Sequence, residues 1–431
     1  MLKKITYIIA VILLTSSIQA EDIGNGWSIN GMAHIIGQLD GKDFSNETHP
    51  FNYATSKIRI GLEKTLDDLA IFRVDLQDSR IMGTGFFADQ NNTDLLQGYV
   101  EFPGLLGAPL SLQAGRFQMQ YGTERIIGRS LWHYQERAFD GARLKYKSEK
   151  FKIDYFHILH TNSSDYLLKV MPSNYPYPSD PIEGYAMYGF WMNTGPYDGH
   201  SFDLFGYLED DDFTSLSRYT TGFNYNMKTG KFGLIAEGAF QGGTQTVGSG
   251  ESKIEKSISA YMASVKASYK FDPVGLLAGA DIISGTPTDA PQDEFNTYNN
   301  YPASKHKFLG LMDYFLVTTK GTNNLGVNDF YAGATIGNFV LGKQASGDEG
   351  NLNATLTYHF FMSNQPDVND NSDFGSEIDL VLKYSLTKKI FFQAGGGVFL
   401  PGEVMKNYYK VGNTIREDPG FWLFTMIMFQ I

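Results

Sequence analysis

Between Leu69 and Gln77 the chain reads LAIFRVDLQ, and its residue types alternate. Phe72, Val74 and Leu76 fall on one side of an extended backbone, while Arg73, Asp75 and Gln77 fall on the other. This is the mark of a strand with one apolar and one polar face. The pattern recurs where Ile58, Ile60 and Leu62 oppose Lys57, Arg59 and Glu63, and where Ile378, Leu380, Leu382 and Tyr384 oppose Glu377, Asp379 and Lys383. About eighteen such segments begin near residues 27, 51, 69, 93, 109, 137, 151, 184, 199, 217, 231, 257, 274, 327, 352, 375, 389 and 419. Their connections alternate in length. Tight turns such as 65–68, 148–150, 228–231, 272–273 and 387–388 are interleaved with longer polar loops at 120–136, 162–183, 286–326, 364–374 and 401–418.

One short-turn rim and one long-loop rim describe an all-β fold, a transmembrane up-and-down antiparallel β-barrel of about 18 strands. A soluble sandwich or propeller also alternates. Aromatics gathered at strand ends, as in Tyr219, Phe223 and Tyr225 or Tyr269 and Phe271, argue instead for the interfacial girdles of a lipid-embedded barrel. The segment Phe421 to Ile431 is apolar and aromatic, as a closing strand requires, and ends in Ile431 with Phe429 two residues earlier. An even strand count near eighteen leaves a lumen wide enough for water and solute unless loops fold into it.

The first twenty residues set the address. Lys3 and Lys4 precede an apolar run from Ile8 to Leu14 and a small, polar stretch ending at Ala20, which is the layout of a secretory signal peptide. Residues 1–20 are therefore read as removed, leaving 21–431 as a single barrel domain in the bacterial outer membrane. No later apolar run approaches the ~18 residues of a membrane-crossing helix. The chain has no cysteine, so a large core or extensive backbone pairing must hold it together. The net charge is −12, and about −14 once Lys3 and Lys4 are gone, which argues against nucleic-acid binding.

Against that acidity, five of the arginines cluster at 116, 125, 129, 137 and 143. The run Gly115-Arg116, Tyr121-Gly122, Arg125, Gly128, Trp132, Arg137, Phe139-Asp140-Gly141 and Arg143-Leu144 resembles the signature of the alginate-export family of outer-membrane barrels. The stretch HKFLGLMDYF, from His306 to Phe315, resembles a loop element of the same family. The resemblance implies an eighteen-stranded barrel in which the arginine segment forms a strand, an inward-folding extracellular loop and the return strand. It implies further that Arg125, Arg129, Arg137 and Arg143 face the lumen, and that Trp132 and Phe139 wedge the loop against the wall. In the family's alginate exporter a basic lining guides an acidic polysaccharide. The long periplasmic lid expected between that exporter's sixteenth and seventeenth strands has no counterpart in the short connection from Leu386 to Lys388.

Arginine suits such a lining because its planar fork grips carboxylates bidentately and its charge does not titrate away. The pore-lining candidates are Lys57, Arg59, Arg73, Arg116, Arg125, Arg129, Arg137 and Arg143, set against Glu63, Asp75, Glu101 and Asp140. Two roles stay open for the cluster: selecting solutes, or locking the loop through ion pairs with neighbours such as Glu124, Glu136 and Asp140.

The eight histidines are scattered without metal spacing, and neither HExxH nor GxSxG occurs, so no enzyme activity and no cofactor is expected. The stretch DVNDNSDFGSE from Asp367 has alternating oxygen ligands, but Ser372 stands where a calcium loop needs glycine, so it reads as a solvated acidic loop. Tyr175, Tyr177, Tyr298 and Tyr301 pack loops onto the barrel mouth or stack on sugars. The expected function is a channel for passive diffusion of small anionic or carboxylated solutes. The alternative is a dedicated exporter of an anionic, alginate-like polysaccharide, with a loop-plugged structural barrel a third reading. The expected partners are outer-membrane lipid and lipopolysaccharide together with the transported solute or glycan, around a monomer.

Overall fold

The computed structural model describes residues 21–83, 92–161, 184–248, 250–343, 349–409 and 415–431. The signal-peptide reading of residues 1–20, and Tyr175 and Tyr177, lie outside the described residues. All eighteen expected strands are present, each starting within three residues of its expected position. They are β1 (Trp27–Gly41), β2 (Phe51–Leu66), β3 (Ala70–Ile81), β4 (Thr93–Phe102), β5 (Leu110–Phe117) and β6 (Phe139–Lys147). Then come β7 (Phe151–Thr161), β8 (Gly184–Tyr197), β9 (His200–Asp211), β10 (Leu216–Thr229), β11 (Phe232–Val247) and β12 (Ile254–Lys270). The last third is β13 (Val274–Ile283), β14 (Val327–Lys343), β15 (Glu349–Met362), β16 (Asp373–Ser385), β17 (Ile390–Pro401) and β18 (Gly420–Gln430).

Each strand pairs antiparallel with the next, and β18 pairs antiparallel with β1 from Met32↔Gln430 to Gly41↔Phe421, closing the cylinder. Closure is what lipid demands, since an open sheet edge would leave backbone groups without partners in hydrocarbon. The short rim is built by local turn chemistry. Asp67 and Asp68 both take positive φ, as do Asp198 and Gly199, giving the primed two-residue turns whose twist matches the flanking strands. The opposite rim carries the long connections, although two of its links, at 212–215 and 248–253, are also short.

Alternation then sorts the faces. Phe72, Leu76, Ile58, Ile60, Leu380 and Leu382 lie exposed on the outer wall, while Lys57, Arg59, Asp75, Gln77, Glu377 and Asp379 are buried inside. The interior is not uniformly polar. Trp422, Phe424, Met426 and Met428 of β18 point inward and are buried, because two loops fold into the barrel and pack against them.

This topology carries a prediction. An epitope tag inserted at Asp289, in the long 284–326 connection, should be accessible on intact cells, whereas one at Gly230 should be reached only after permeabilisation. The protein should also run faster on SDS gels before boiling than after. The reverse labelling pattern would overturn the assignment of the rims.

Candidate functional site

The first inward loop, residues 118–138, joins β5 to β6. At its two roots Phe117 and Phe139 take the inward-facing positions and are buried, anchoring the loop inside the wall. Trp132 at its far side stacks on His306 at 4.0 Å and meets Phe424 edge-on at 5.1 Å, so it sits between the second inward segment and the closing strand. Its role as a wedge follows from that packing.

The cations of the loop and of the wall behind it are held by named partners. Lys57 and Arg59 of β2 both meet Glu136, at 2.9 and 3.3 Å. Lys57 also donates to the carbonyls of Leu131 at 2.6 Å and His133 at 3.1 Å, tying the loop to the wall. Burial alone would raise the Glu136 carboxyl, but Lys57 and Arg59 beside it more than offset that and hold it down at about 2. On the opposite wall Arg125 pairs with Glu237 of β11 at 3.1 Å and Asp281 of β13 at 3.0 Å, under the Phe308 ring at 3.9 Å. Arg143 donates to Gln113 at 2.6 Å and sits 3.4 Å from Asp154, and Arg73 bridges Glu63 at 3.3 Å and Asp75 at 3.1 Å. Lys145 pairs with Glu101 at 2.5 Å.

Arg137 is different, because it meets backbone carbonyls and the Tyr301 ring, 5.0 Å away, in place of a carboxylate. One guanidinium nitrogen donates to Gly128 at 2.8 Å, to Ala303 at 3.0 Å and to Pro302. It thereby joins the 118–138 loop to the 284–326 connection between β13 and β14. A carboxylate completes the joint. Glu124 accepts from Ser304 at 2.6 Å, from the Arg129 backbone N–H at 3.2 Å and from Lys307. The second segment is clamped to the far wall in turn, where Glu377 of β16 accepts the backbone N–H of Leu311 at 2.6 Å and of Met312 at 2.9 Å. Gly310 makes that approach possible. Its φ is +82°, and a Cβ there would stand 2.7 Å from both Glu377 oxygens.

Ten of the twelve candidate lining residues, Lys57, Arg59, Glu63, Arg73, Asp75, Glu101, Arg125, Arg129, Arg137 and Arg143, lie on inward-facing strand positions or on the inward loop. Arg116 and Asp140 do not, which corrects the sequence reading. They share the parity of the exposed Leu112 and Leu144 and pair with each other at 2.5 Å on the outer wall. The reason is local: Phe117 and Phe139 claim the inward positions beside them, and alternation turns their neighbours out.

Below the docked loops, toward the short-turn rim, a cavity of about 530 Å³ remains between β11 and β17. Its charged lining is Arg125, Lys266, Lys270, Lys307 and Lys383 against Glu237, Asp281, Asp329 and Asp379, five cations to four carboxylates. His359 pairs with Asp329 at 2.9 Å across the wall. Except for Lys383 and Asp379, noted only as polar-face residues, the wall members of this set were not singled out from sequence. The signal that could have found them is the inward parity of charges on β11 to β16.

Residues 44–159 match the family model described as alginate export, so the resemblance read from the arginine segment stands over that stretch. No curated protein matches in sequence. Among solved structures the chain is similar to the outer membrane protein OprD from Pseudomonas aeruginosa, at 12% identity and TM-score 0.58, covering 96% of both chains. It is also similar to OccAB1 of Acinetobacter baumannii, at 10% identity and TM-score 0.59, covering 96% of this chain and 99% of that one. OpdL of Pseudomonas aeruginosa is similar at 10% identity and TM-score 0.59, covering 94% and 98%. At such identities the likeness is one of fold, that of a bacterial outer-membrane barrel.

Two predictions follow from the loop joint. Replacing Arg137 by Met removes charged hydrogen bonds each worth about 1.5–3 kcal/mol, so single-channel recordings should show more frequent flickering while the barrel stays folded. Unchanged gating would mean the joint is held elsewhere. The second concerns pH. Burial first, and Arg137 and Lys320 after it, push the Lys305 ammonium down from 10.5 to about 8. The docked segment thus binds fewer protons than a released one between these values, and docking strengthens as pH rises across that window. Flickering should fall from pH 7 to pH 10, and Lys305→Gln should remove that dependence.

Proposed function

We propose that the protein is a porin-like channel that passes small anionic or carboxylated solutes by diffusion, without catalysis. The observation that carries this reading is the balance of charge in the cavity, where five cations face four carboxylates in a chain of net charge −12. Screening limits each charge to about 8 Å at physiological ionic strength, so a solute in the cavity responds to its lining and scarcely to acidic loops at the rim.

The availability of the charges reduces the count on both sides, since Arg125 is held by Glu237 and Asp281 and Lys307 by Glu124. Glu237 and Asp281 are engaged by Arg125, and Asp329 by His359. Asp379 accepts the Leu311 N–H at 3.2 Å. Among the described residues Lys266 and Lys383 have no carboxylate within ion-pairing distance, and Lys270 meets only Asp272 of the short turn, at 2.7 Å. The positive charge left for a solute is therefore lysine charge. The arginines of the inward loop act chiefly as fasteners in this reading, because Arg125 is held by two wall carboxylates and Arg137 by carbonyls of both inward segments.

Export of an anionic polysaccharide is the second reading, favoured by the family match over 44–159. The joined inward loops lie across the path an extended polymer would need, and the connection between β16 and β17 is only residues 386–389. Diffusion of small solutes past the loops needs neither a lid nor a polymer-wide bore.

Reversal potentials in a salt gradient test the proposal. The unaltered protein should prefer anions, and Lys266→Glu combined with Lys383→Glu should weaken or invert that preference. Cation preference in the unaltered channel would refute the anionic reading, and the absence of any conductance would refute the channel.

A further inference from the structure

A second cavity, of about 620 Å³, lies outside the lumen. It arises because neighbouring strands differ in height. β13 ends at Ile283, opposite Met262 of β12 and Val327 of β14, while β12 continues upward for eight more residues. The chain peels away at Ser284 and returns to pair with β12 only at Ser257↔Glu294 and Ile258↔Phe295. What is left in the wall is a cleft lined by Ser257, Ser259 and Tyr261 of β12, by Asp293 and Asn296 of the returning chain, and by Gln365 beyond β15, among others.

Parity places the cleft on the outer surface. Ile258, Ala260 and Met262 are buried inward, whereas Ser257, Ser259 and Tyr261 are exposed outward. Its height is fixed by aromatic residues on the same strand. Tyr261 and Tyr269 bracket the apolar outward stretch of Ala263, Val265 and Ala267, about 27 Å apart along the strand at ~3.4 Å per residue and about 20 Å apart in height at a strand tilt of about 40°, which spans most of the ~25 Å apolar band. Ser257 and Ser259 therefore stand just above the upper girdle, where lipid head groups begin.

Part of the polar lining is engaged within the protein, Ser284 with Asn296, Asn296 with Glu294, and Gln365 with Asn364, and part is not. Among the described residues no side-chain partner meets the hydroxyls of Ser257, Ser259 and Tyr261 or the carboxylate of Asp293. No lysine or arginine lines the cleft, and Asp293 and Glu294 both do. A phosphate would be repelled there. Hydroxyls, carboxamides and carboxylates set beside the face of a half-exposed tyrosine match instead a ligand that is rich in hydroxyl groups, uncharged and flat on one side. The volume lies within the range of about 300–1,000 Å³ typical of ligand sites. We propose that this cleft binds an uncharged pyranose unit, presented by a glycolipid of the outer leaflet, with Tyr261 under the ring and Asp293 accepting from its hydroxyls.

Saturation-transfer NMR on the protein in dodecyldimethylamine oxide, a sugar-free detergent, tests the site with octyl maltoside and with free maltose. The pyranose protons of octyl maltoside should receive saturation, and binding should weaken roughly fivefold in Asp293→Asn, the loss expected for one hydrogen bond, and further in Tyr261→Ala. A stronger signal from octyl maltoside than from maltose supports the lipid-borne source; equal signals keep the pyranose site but assign it to free saccharide. Signals unchanged in both variants, or displacement of the sugar by inorganic phosphate, would overturn the proposal. Gel mobility before and after heating shows that each variant is folded, and Ser259→Val replaces any variant that is not. Single-channel conductance should be the same in all of them, which separates this site from the transport reading.

Discussion

The pairing of Met32–Gly41 with Phe421–Gln430 is the constraint on which everything else rests, because a sheet spanning lipid cannot keep a free edge. Once the two terminal strands meet, every strand has two neighbours and each outward position faces hydrocarbon or head group. The alternation of residue types then has a fixed meaning. Outward-facing Ile58, Phe72 and Leu380 are compatible with lipid only because inward-facing Arg59, Asp75 and Asp379 are on the other face of the same backbone.

Closure also creates the problem that the inward loops solve. Charges turned into a narrow interior lose part of their hydration, and each becomes costly unless it meets an opposite charge or a hydrogen-bonding group. Lys57 and Arg59 converge on Glu136, and Arg125 spans Glu237 and Asp281. Because one partner in each case belongs to a loop and the other to the wall, satisfying the charges also positions the loops. Arg137, bonded to carbonyls of both inward segments, extends the same logic to the joint between them. The acids that dilute the arginine potential are thus the ones that hold the inward loops in place.

The unequal heights of neighbouring strands give the barrel a second face. Where β13 stops early, the wall opens into a polar cleft at head-group level, while the lumen behind it remains sealed by Ile258, Ala260 and the docked 284–326 segment. Lumen and cleft thus lie on opposite sides of one strand, β12, whose even-numbered residues line the lumen and whose odd-numbered residues face out.

The number of strands, their starts and the two rims were legible in the sequence because period-two alternation and turn residues such as Asp198-Gly199 are local properties. The arginine segment was legible as an inward loop through its family resemblance, and the inward parity of Lys57, Arg59, Arg73 and Asp75 through counting. Arg116 and Asp140 were placed in the lumen with the rest of the arginine cluster, although the parity they share with Leu112 and Leu144 turns them outward beside inward-facing Phe117 and Phe139. The sequence by itself determined a closed barrel with a charged interior and a cluster of guanidinium groups on one connection. Only the tertiary structure decided which acid meets which arginine, that Arg125 and Arg137 tie the inward loops to the wall and to each other, and that a cleft opens beside β12. Those outcomes depend on contacts between residues distant in sequence, from Lys57 with Glu136 to Arg125 with Glu237, and proximity of that kind exists only once the strands have assembled.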